Sequence, residues 1–261
     1  MNNDKKYRVP YLGYRKPYIG ITGFMKREDV ETALSCMTTP PRRLLMVGVL
    51  VNETTLQNYN REGNGRHPNV EDVKNIFVSH PLALNMVHYH TKSADTLCEQ
   101  LSQIAEMSGP NLHGFQLNMV WPPKKELKKY YLQYPNHLMV LTIDDRALNA
   151  VENSPELLIS KVEEYNGLVD YILLDRSLGY GIPMDTKFMR KYINILHSTR
   201  LGIVIAGGLS PKTLHMIEPL VGDFQGLSID AENNIRNMDD SLNLDSACGY
   251  LRKASKIFGD A

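Results

Sequence analysis

Eight short apolar runs, each followed by a longer amphipathic segment, predict a single (β/α)8 barrel of the ribulose-phosphate-binding type. The runs are almost continuously apolar, which is typical of parallel strands whose sheet is covered on both faces. A length of 261 residues also suits one barrel of this class. An open, doubly wound sheet is the alternative, but it requires two sheet edges and a break in strand order.

The expected strands follow one another along the chain at spacings that leave room for a helix between them. They are Tyr18–Thr22, Leu44–Val51, Ala83–His90, Gly114–Trp121, His137–Ile143, Val169–Asp175, Leu201–Gly208 and Asp223–Asp230. The clearest helices are Arg27–Met37, Asn69–His80, Ser93–Met107, Lys124–Tyr134 and Leu244–Phe258. A loop from Asn52 to Pro68 separates the second strand from its helix. We expect residues 18–261 to form the barrel and residues 1–17 an N-terminal extension.

Composition excludes several classes of partner and compartment. Lys plus Arg and Asp plus Glu both number 29, so no net charge attracts nucleic acid or an anionic membrane. No apolar run approaches the roughly 20 residues that span a bilayer, and the polar N-terminus lacks a signal-peptide core. Cys36, Cys98 and Cys248 are odd in number and far apart, which predicts a reducing, cytoplasmic environment without a disulfide framework.

Polar residues stand where most of the predicted strands end, at the face where barrels of this class bind ligands. These residues are Thr22, Asn52, Glu53, His88, His90, Gln116, Asn118, Asp144, Asp175, Asp230 and Glu232. Polar groups at a barrel mouth are costly to bury unless they are paired or used. The sequence therefore predicts an occupied pocket at this end of the barrel.

The loops after the seventh and eighth strands predict a phosphate site. Gly207-Gly208 lets a phosphate approach backbone amides closely, and Ser210-Pro211 is expected to begin a helix whose positive end attracts an anion. The segment around Asp230 and Ala231 ends the eighth strand and supplies further amides. A tight turn is the structural alternative for the glycine pair.

The end of the sixth strand predicts a group for proton transfer. Asp175 follows the apolar run directly, and Gly179 and Gly181 lie in a loop able to fold over a ligand. A carboxyl group in this place suits a general acid or base. Pairing with Arg176 or capping of the loop is the alternative.

These segments resemble the phosphoribosylanthranilate isomerase family, cofactor-free barrel enzymes of tryptophan biosynthesis. IGITGFMKREDV is similar to the family's opening strand and helix start, GRHPNVEDV to its substrate-binding segment, and IAGGLSPKTL to its phosphate loop. The resemblance implies a small phosphorylated ligand, no cofactor, and a monomer or homodimer. It places Arg66 on a substrate-binding arginine, Asp175 on the general acid, and Gln116 and Asn118 in the binding strand GFQLN.

The first strand departs from the family pattern. Where the family has a general-base cysteine before glycine, this chain has Thr22-Gly23, so the resemblance implies a catalytic place for Thr22 and a substrate-binding place for Gly23. A threonine hydroxyl forms no accessible anion near neutral pH, and losing a general base costs about 10²–10⁴-fold in rate. Asp144, Glu232 and His90 are the alternative proton acceptors.

Three functions remain open at this point. The first is an isomerase or lyase that acts on a phosphorylated sugar or a similar metabolite by acid–base chemistry. The second is a ligand-binding or regulatory barrel that has kept the phosphate loops and lost the chemistry. The third is a metal-assisted hydrolase built on His88 and His90, which would need a third ligand.

Overall fold

The computed structural model describes residues 16–37, 42–57, 66–175 and 184–259. Within them, eight parallel strands close into one barrel in sequence order, and β1 pairs with both β2 and β8. The strands are β1 Tyr18–Thr22, β2 Leu44–Asn52, β3 Ala83–His90, β4 Gly114–Leu117, β5 Leu138–Ile143, β6 Tyr171–Leu174, β7 Gly202–Ile205 and β8 Ser228–Ala231. The predicted (β/α)8 barrel is confirmed, and closure rules out the open sheet.

Several strands are shorter than their apolar runs because the backbone turns away early. β4 ends at Leu117, and Trp121 has a positive φ of 43°. β7 ends at Ile205, and the backbone then turns at Gly207 and Gly208, whose φ values are positive, at 127° and 61°. The residues after these strands therefore form the loops at the mouth.

The described helices lie outside the barrel and pack on it through their apolar faces. They are α1 Arg27–Ser35, α2 Glu53–Leu56, α3 Val73–Ile76, α4 Leu97–Ser108, α5 Lys124–Gln133, α6 Asp145–Asn149, α7 Pro155–Glu163, α8 Thr186–Leu196, α9 Glu218–Val221 and α10 Leu244–Ile257. Short 3₁₀ turns occupy Val70–Asp72, Ala94–Thr96, His197–Thr199, Leu214–Ile217 and Asn233–Ile235.

Two local expectations about loops and helices are wrong. The second strand runs directly into α2, because the side chain of Asn52 accepts a hydrogen bond from the amide of Thr55 (2.8 Å) and caps the helix. Ser210-Pro211 begins no helix: the next residues form a turn, and the 3₁₀ helix starts only at Leu214. Thr213 stabilises that turn by donating its hydroxyl to the carbonyl of Gly208 (2.7 Å).

The lower interior of the barrel is a closed apolar layer. It consists of the buried side chains Tyr18, Met46, Leu84, Met86, Val140, Tyr171, Leu173, Val204 and Ala206. Because side chains alternate along a strand, the same strands carry polar groups on the same inner face two residues further on. The site described below therefore rests on a packed floor.

The expectation that the cysteines form no disulfide is also wrong. Cys36, just after α1, and Cys248, in α10, form a disulfide with their Cα atoms 5.4 Å apart, a separation usual for such bonds. Closure of the barrel places α1 and α10 side by side. The two cysteines are therefore neighbours in space, although 212 residues separate them in the sequence. Cys98 is buried and free.

No helix in the described part of the chain is long and apolar enough to cross a bilayer.

Candidate functional site

The mouth of the barrel contains two adjoining cavities. The distal cavity, about 260 Å³, is lined by Leu50, Val51, Asn52, Arg66, His67, His88, His90, Asn118, Thr142, Asp144, Leu173, Asp175 and Glu232. The glycine pocket, about 40 Å³, is lined by His88, Gln116, Leu173, Asp175, Ala206, Gly207, Gly208, Leu209, Asp230, Ala231, Glu232, Asn233 and Asn234. They share His88, Leu173, Asp175 and Glu232, so one ligand could extend through both.

Two glycines after β7, Gly207 and Gly208, line the glycine pocket. Among the described residues, no hydrogen bond uses the amide N–H of Gly207 or Gly208. The carbonyl of Gly208 is held from the other side by the side chains of Asn234 (2.9 Å) and Thr213 (2.7 Å). Positive φ angles at both glycines make this turn possible. The helix end expected to assist the amides is absent, since Pro211 lies in a turn.

Thr22 and Asp230 form a buried pair where β1 meets β8. The hydroxyl of Thr22 lies 3.2 and 3.1 Å from the two carboxyl oxygens of Asp230, which is 5% exposed. Burial raises the pKa of Asp230 to about 8, the charge of Glu232 adds to that rise, and hydrogen bonds from Thr22 and Gln116 oppose it. Asp230 can therefore hold or release a proton close to neutral pH.

His88 lines the same pocket as Asp230 and contacts Gln116 on β4. Its Nδ1 lies 3.3 Å from the side-chain nitrogen of Gln116. Burial lowers the pKa of His88 to about 4, and the charge of Asp175 partly opposes the fall. The ring is therefore neutral at pH 7 and accepts from the amide of Gln116. Asp175 itself directly follows β6, and the predicted loop beyond it lies outside the described residues.

Two of the predicted proton acceptors already have strong partners. Asp144 accepts from Nε and Nη2 of Arg146 (2.8 and 2.5 Å) and from the amide of Ala147 (2.9 Å), so it caps α6. His90 contacts the carbonyl oxygen of Asn118 through Nδ1 (2.8 Å). These contacts hold both side chains in place in the wall of the distal cavity.

Arg66 reaches the distal cavity with its guanidinium already paired. Its Nε and Nη2 donate to the two carboxyl oxygens of Asp240 (2.8 and 2.5 Å), and its Nη1 donates to Glu232 (2.9 Å). Sequence reasoning missed Asp240, which stands in a tight turn with φ 67° between the bridged residues Arg236 and Leu242. No periodic pattern marks such a turn.

Arg236 is a second residue that the sequence did not indicate. Its Nη1 donates to the carbonyl of Asp240 (2.7 Å) and its Nη2 to that of Thr22 (3.3 Å). A Cβ on Gly23 would lie 1.7 Å from Nη2 of Arg236. Gly23, predicted to bind substrate, thus makes room for this arginine beside the pair of Thr22 and Asp230.

In the part of the chain that the structure describes, no three His, Cys, Asp or Glu side chains are grouped so that they could hold a metal ion. The hydrolase alternative therefore has no third ligand for His88 and His90 there.

The fold and this mouth define a (β/α)8 barrel with polar cavities at the carboxyl ends of its strands. No family model matches the chain. The N-(5'-phosphoribosyl)anthranilate isomerase of Methanocella arvoryzae is 36% identical over 107 residues, which are 40% of this chain and 42% of that protein. The resemblance to the phosphoribosylanthranilate isomerase family is thus confirmed over this part of the chain.

Two solved structures support the same relationship at the level of the fold. Phosphoribosyl anthranilate isomerase from Thermus thermophilus is 14% identical with a TM-score of 0.63, and the match covers 92% of this chain and 99% of that one. A phosphoribosyl anthranilate isomerase in complex with reduced 1-(o-carboxyphenylamino)-1-deoxyribulose 5-phosphate is 15% identical with a TM-score of 0.56 and the same coverage.

Proposed function

We propose that this protein is an enzyme that isomerises or cleaves a small phosphorylated sugar derivative by acid–base chemistry. The phosphate binds the amides of Gly207 and Gly208, and the sugar extends toward the distal cavity. The observation that carries the proposal is that the glycine pocket is lined by both Asp175 and Asp230, so a ligand held there would lie beside two carboxyl groups.

The roles of the two carboxyl groups differ. Asp175, at the end of β6, acts as the acid, as the resemblance implies. Asp230, bonded to Thr22, accepts the proton that the family's cysteine takes in the corresponding place. This assignment differs from the phosphate contact that the sequence predicts for Asp230. It leaves the phosphate to backbone amides, including that of Ala231.

Asp144, another predicted catalytic group, supports the site instead, because Arg146 pairs with its carboxylate. His90 is the second candidate base, since the carbonyl of Asn118 orients its ring through Nδ1 only. A base needs an oxygen or nitrogen that faces the reacting carbon without a strong competing partner.

Ligand binding is the first test of the proposal. We expect inorganic phosphate and ribose 5-phosphate to raise the melting temperature, because a ligand that binds only the native state stabilises it in proportion to occupancy. Reduced 1-(o-carboxyphenylamino)-1-deoxyribulose 5-phosphate, a larger ligand with the same phosphate, is the third probe. No shift with any of the three would exclude the phosphate site.

Catalysis is the second test, by complementation of a strain lacking phosphoribosylanthranilate isomerase and by direct assay. If the isomerase reaction is catalysed, Asp175→Asn and Asp230→Asn should each lower kcat/KM by about 10²–10⁴-fold. Asp239→Asn, an exposed change in a nearby turn, is the matched control and should have no effect. Phosphate binding with no turnover would favour the ligand-binding or regulatory barrel.

A further inference from the structure

We infer that Asp240 sets ligand specificity: by pairing with Arg66 it makes the distal cavity take an uncharged, hydrogen-bonding group and reject a carboxylate. This inference rests on the proposed phosphorylated ligand and concerns the other half of that ligand. It also departs from what the resemblance implies, because the arginine in this place would otherwise offer its charge to the substrate.

The geometry of the pair leaves little capacity for another anion. A guanidinium has five N–H donors in a planar fork, and the fork of Arg66 faces Asp240 in a bidentate arrangement. The remaining Nη1 also donates to Glu232 (2.9 Å). Three of the five N–H donors are therefore occupied, and a ligand carboxylate could form a bidentate pair through Nε and Nη2 only by displacing Asp240.

The local charge offers an anion no net attraction. The guanidiniums of Arg66 and Arg236 face the carboxylates of Asp240 and Glu232, so the four groups carry no net charge when all are ionised. A ligand carboxylate would add a third negative charge beside Asp240 and Glu232. The side chains of Arg66 and Asp240 are only 25% and 39% exposed, so solvent screens that charge incompletely. Like charges brought together at a binding surface weaken the complex.

The rest of the distal cavity offers uncharged hydrogen-bonding groups. Thr142, Asn52 and Asn118 line it, and Asp144 beyond them is neutralised by Arg146. His67 also lines it, and burial lowers the pKa of its imidazole, which favours the neutral ring. A cavity of about 260 Å³ with this lining suits a neutral polar ring or chain.

The turn that carries Asp240 allows a clean substitution. Asp240 adopts a left-handed φ of 67°, a conformation that Asn tolerates at least as well as Asp. Asp240→Asn therefore removes one charge without disturbing the turn. Asp239→Asn is the matched control, because Asp239 bonds to Ser241 in the same turn and has no hydrogen bond or ion pair with Arg66 among the contacts described.

The experiment is titration calorimetry with two ligands that differ only in the carboxylate. They are reduced 1-(o-carboxyphenylamino)-1-deoxyribulose 5-phosphate and its counterpart with a carboxamide in place of the carboxylate. We expect the native protein to bind the carboxamide at least about tenfold more tightly. Asp240→Asn should move the ratio of the two Kd values toward the carboxylate by about tenfold, and Asp239→Asn should leave it unchanged.

Equal or tighter binding of the carboxylated ligand by the native protein would overturn the inference. So would a Kd ratio that Asp240→Asn does not change, provided that its circular dichroism and melting temperature match the native protein. If ribose 5-phosphate binds but neither aromatic ligand does, the inference fails and the phosphate site stands. If no phosphorylated ligand binds, the proposed function fails and the inference fails with it.

Discussion

The lower interior of the barrel and its mouth are built from the same strands, yet their side chains have opposite chemistry. On β3, Met86 packs into the apolar floor, while His88, two residues further along, contacts Gln116 at the mouth. On β8, Ser228 bonds the amide of Tyr18 near the floor, and Asp230 lies two residues above it. On these strands, two residues along the inward-facing side therefore separate a residue that stabilises the fold from a residue that can take part in chemistry.

This difference predicts where substitutions cost stability and where they alter titration and binding. The floor consists of buried, closely packed apolar side chains, so deleting atoms there leaves a cavity. The mouth borders solvent-filled space and contains paired polar groups, so its residues should affect pH dependence and ligand affinity more than packing.

The largest effect is expected in the floor. Met86→Ala should lower the free energy of unfolding by about 2–5 kcal/mol, because Met86 is 1% exposed and its loss leaves a void. Met238→Ala removes the same atoms from a fully exposed side chain and should change stability by less than about 0.5 kcal/mol. Urea unfolding measures both, and similar losses for the two variants would contradict the packed floor.

Asp230 should make stability fall as the pH rises toward 8. Its folded-state pKa of about 8 lies above its ordinary value of 3.8, so between these values the unfolded chain binds fewer protons than the native state. The free energy of unfolding should fall by up to about 1.4 kcal/mol per pH unit in this window. His88 has the opposite effect below about pH 6.5, because its folded-state pKa is lowered to about 4.

The window from pH 6.5 to 8 therefore isolates the carboxyl group. Urea unfolding across it should show a slope in the native protein and in Asp239→Asn, and a much smaller slope in Asp230→Asn. Equal slopes in all three would mean that Asp230 is already ionised when buried, and the proton-transfer role would lose its support.

The smallest effect is expected at the rim of the distal cavity. Arg146→Gln should cost less than about 1 kcal/mol, because the side chain of Arg146 is 50% exposed and its partner Asp144 keeps the hydrogen bond that caps α6. Lys125→Gln, which breaks a long contact with Asp95 on the surface, is the control. A loss of several kcal/mol for Arg146→Gln would mean that the rim is as rigid as the floor.

The sequence predicts the barrel and much of its mouth because both depend on local order. Apolar runs give the strands, and alternation gives the inward face, so His88, His90, Gln116 and Asn118 are found where they were expected. Contacts between residues that are far apart in the sequence do not depend on local order. The pairs of Thr22 with Asp230 and of Arg66 with Asp240 join residues 208 and 174 positions apart. Such pairs depend on strand register and on a turn that has no periodic pattern.

The disulfide between Cys36 and Cys248 turns most of the barrel into a covalent ring. A protease that cuts once anywhere between these two residues would open a loop without releasing a fragment. On a gel, the cut protein would migrate as two pieces only after a thiol reductant is added. The two cysteines would also hold the seam between the first and last helices together during partial unfolding, so fraying should begin elsewhere on the circumference.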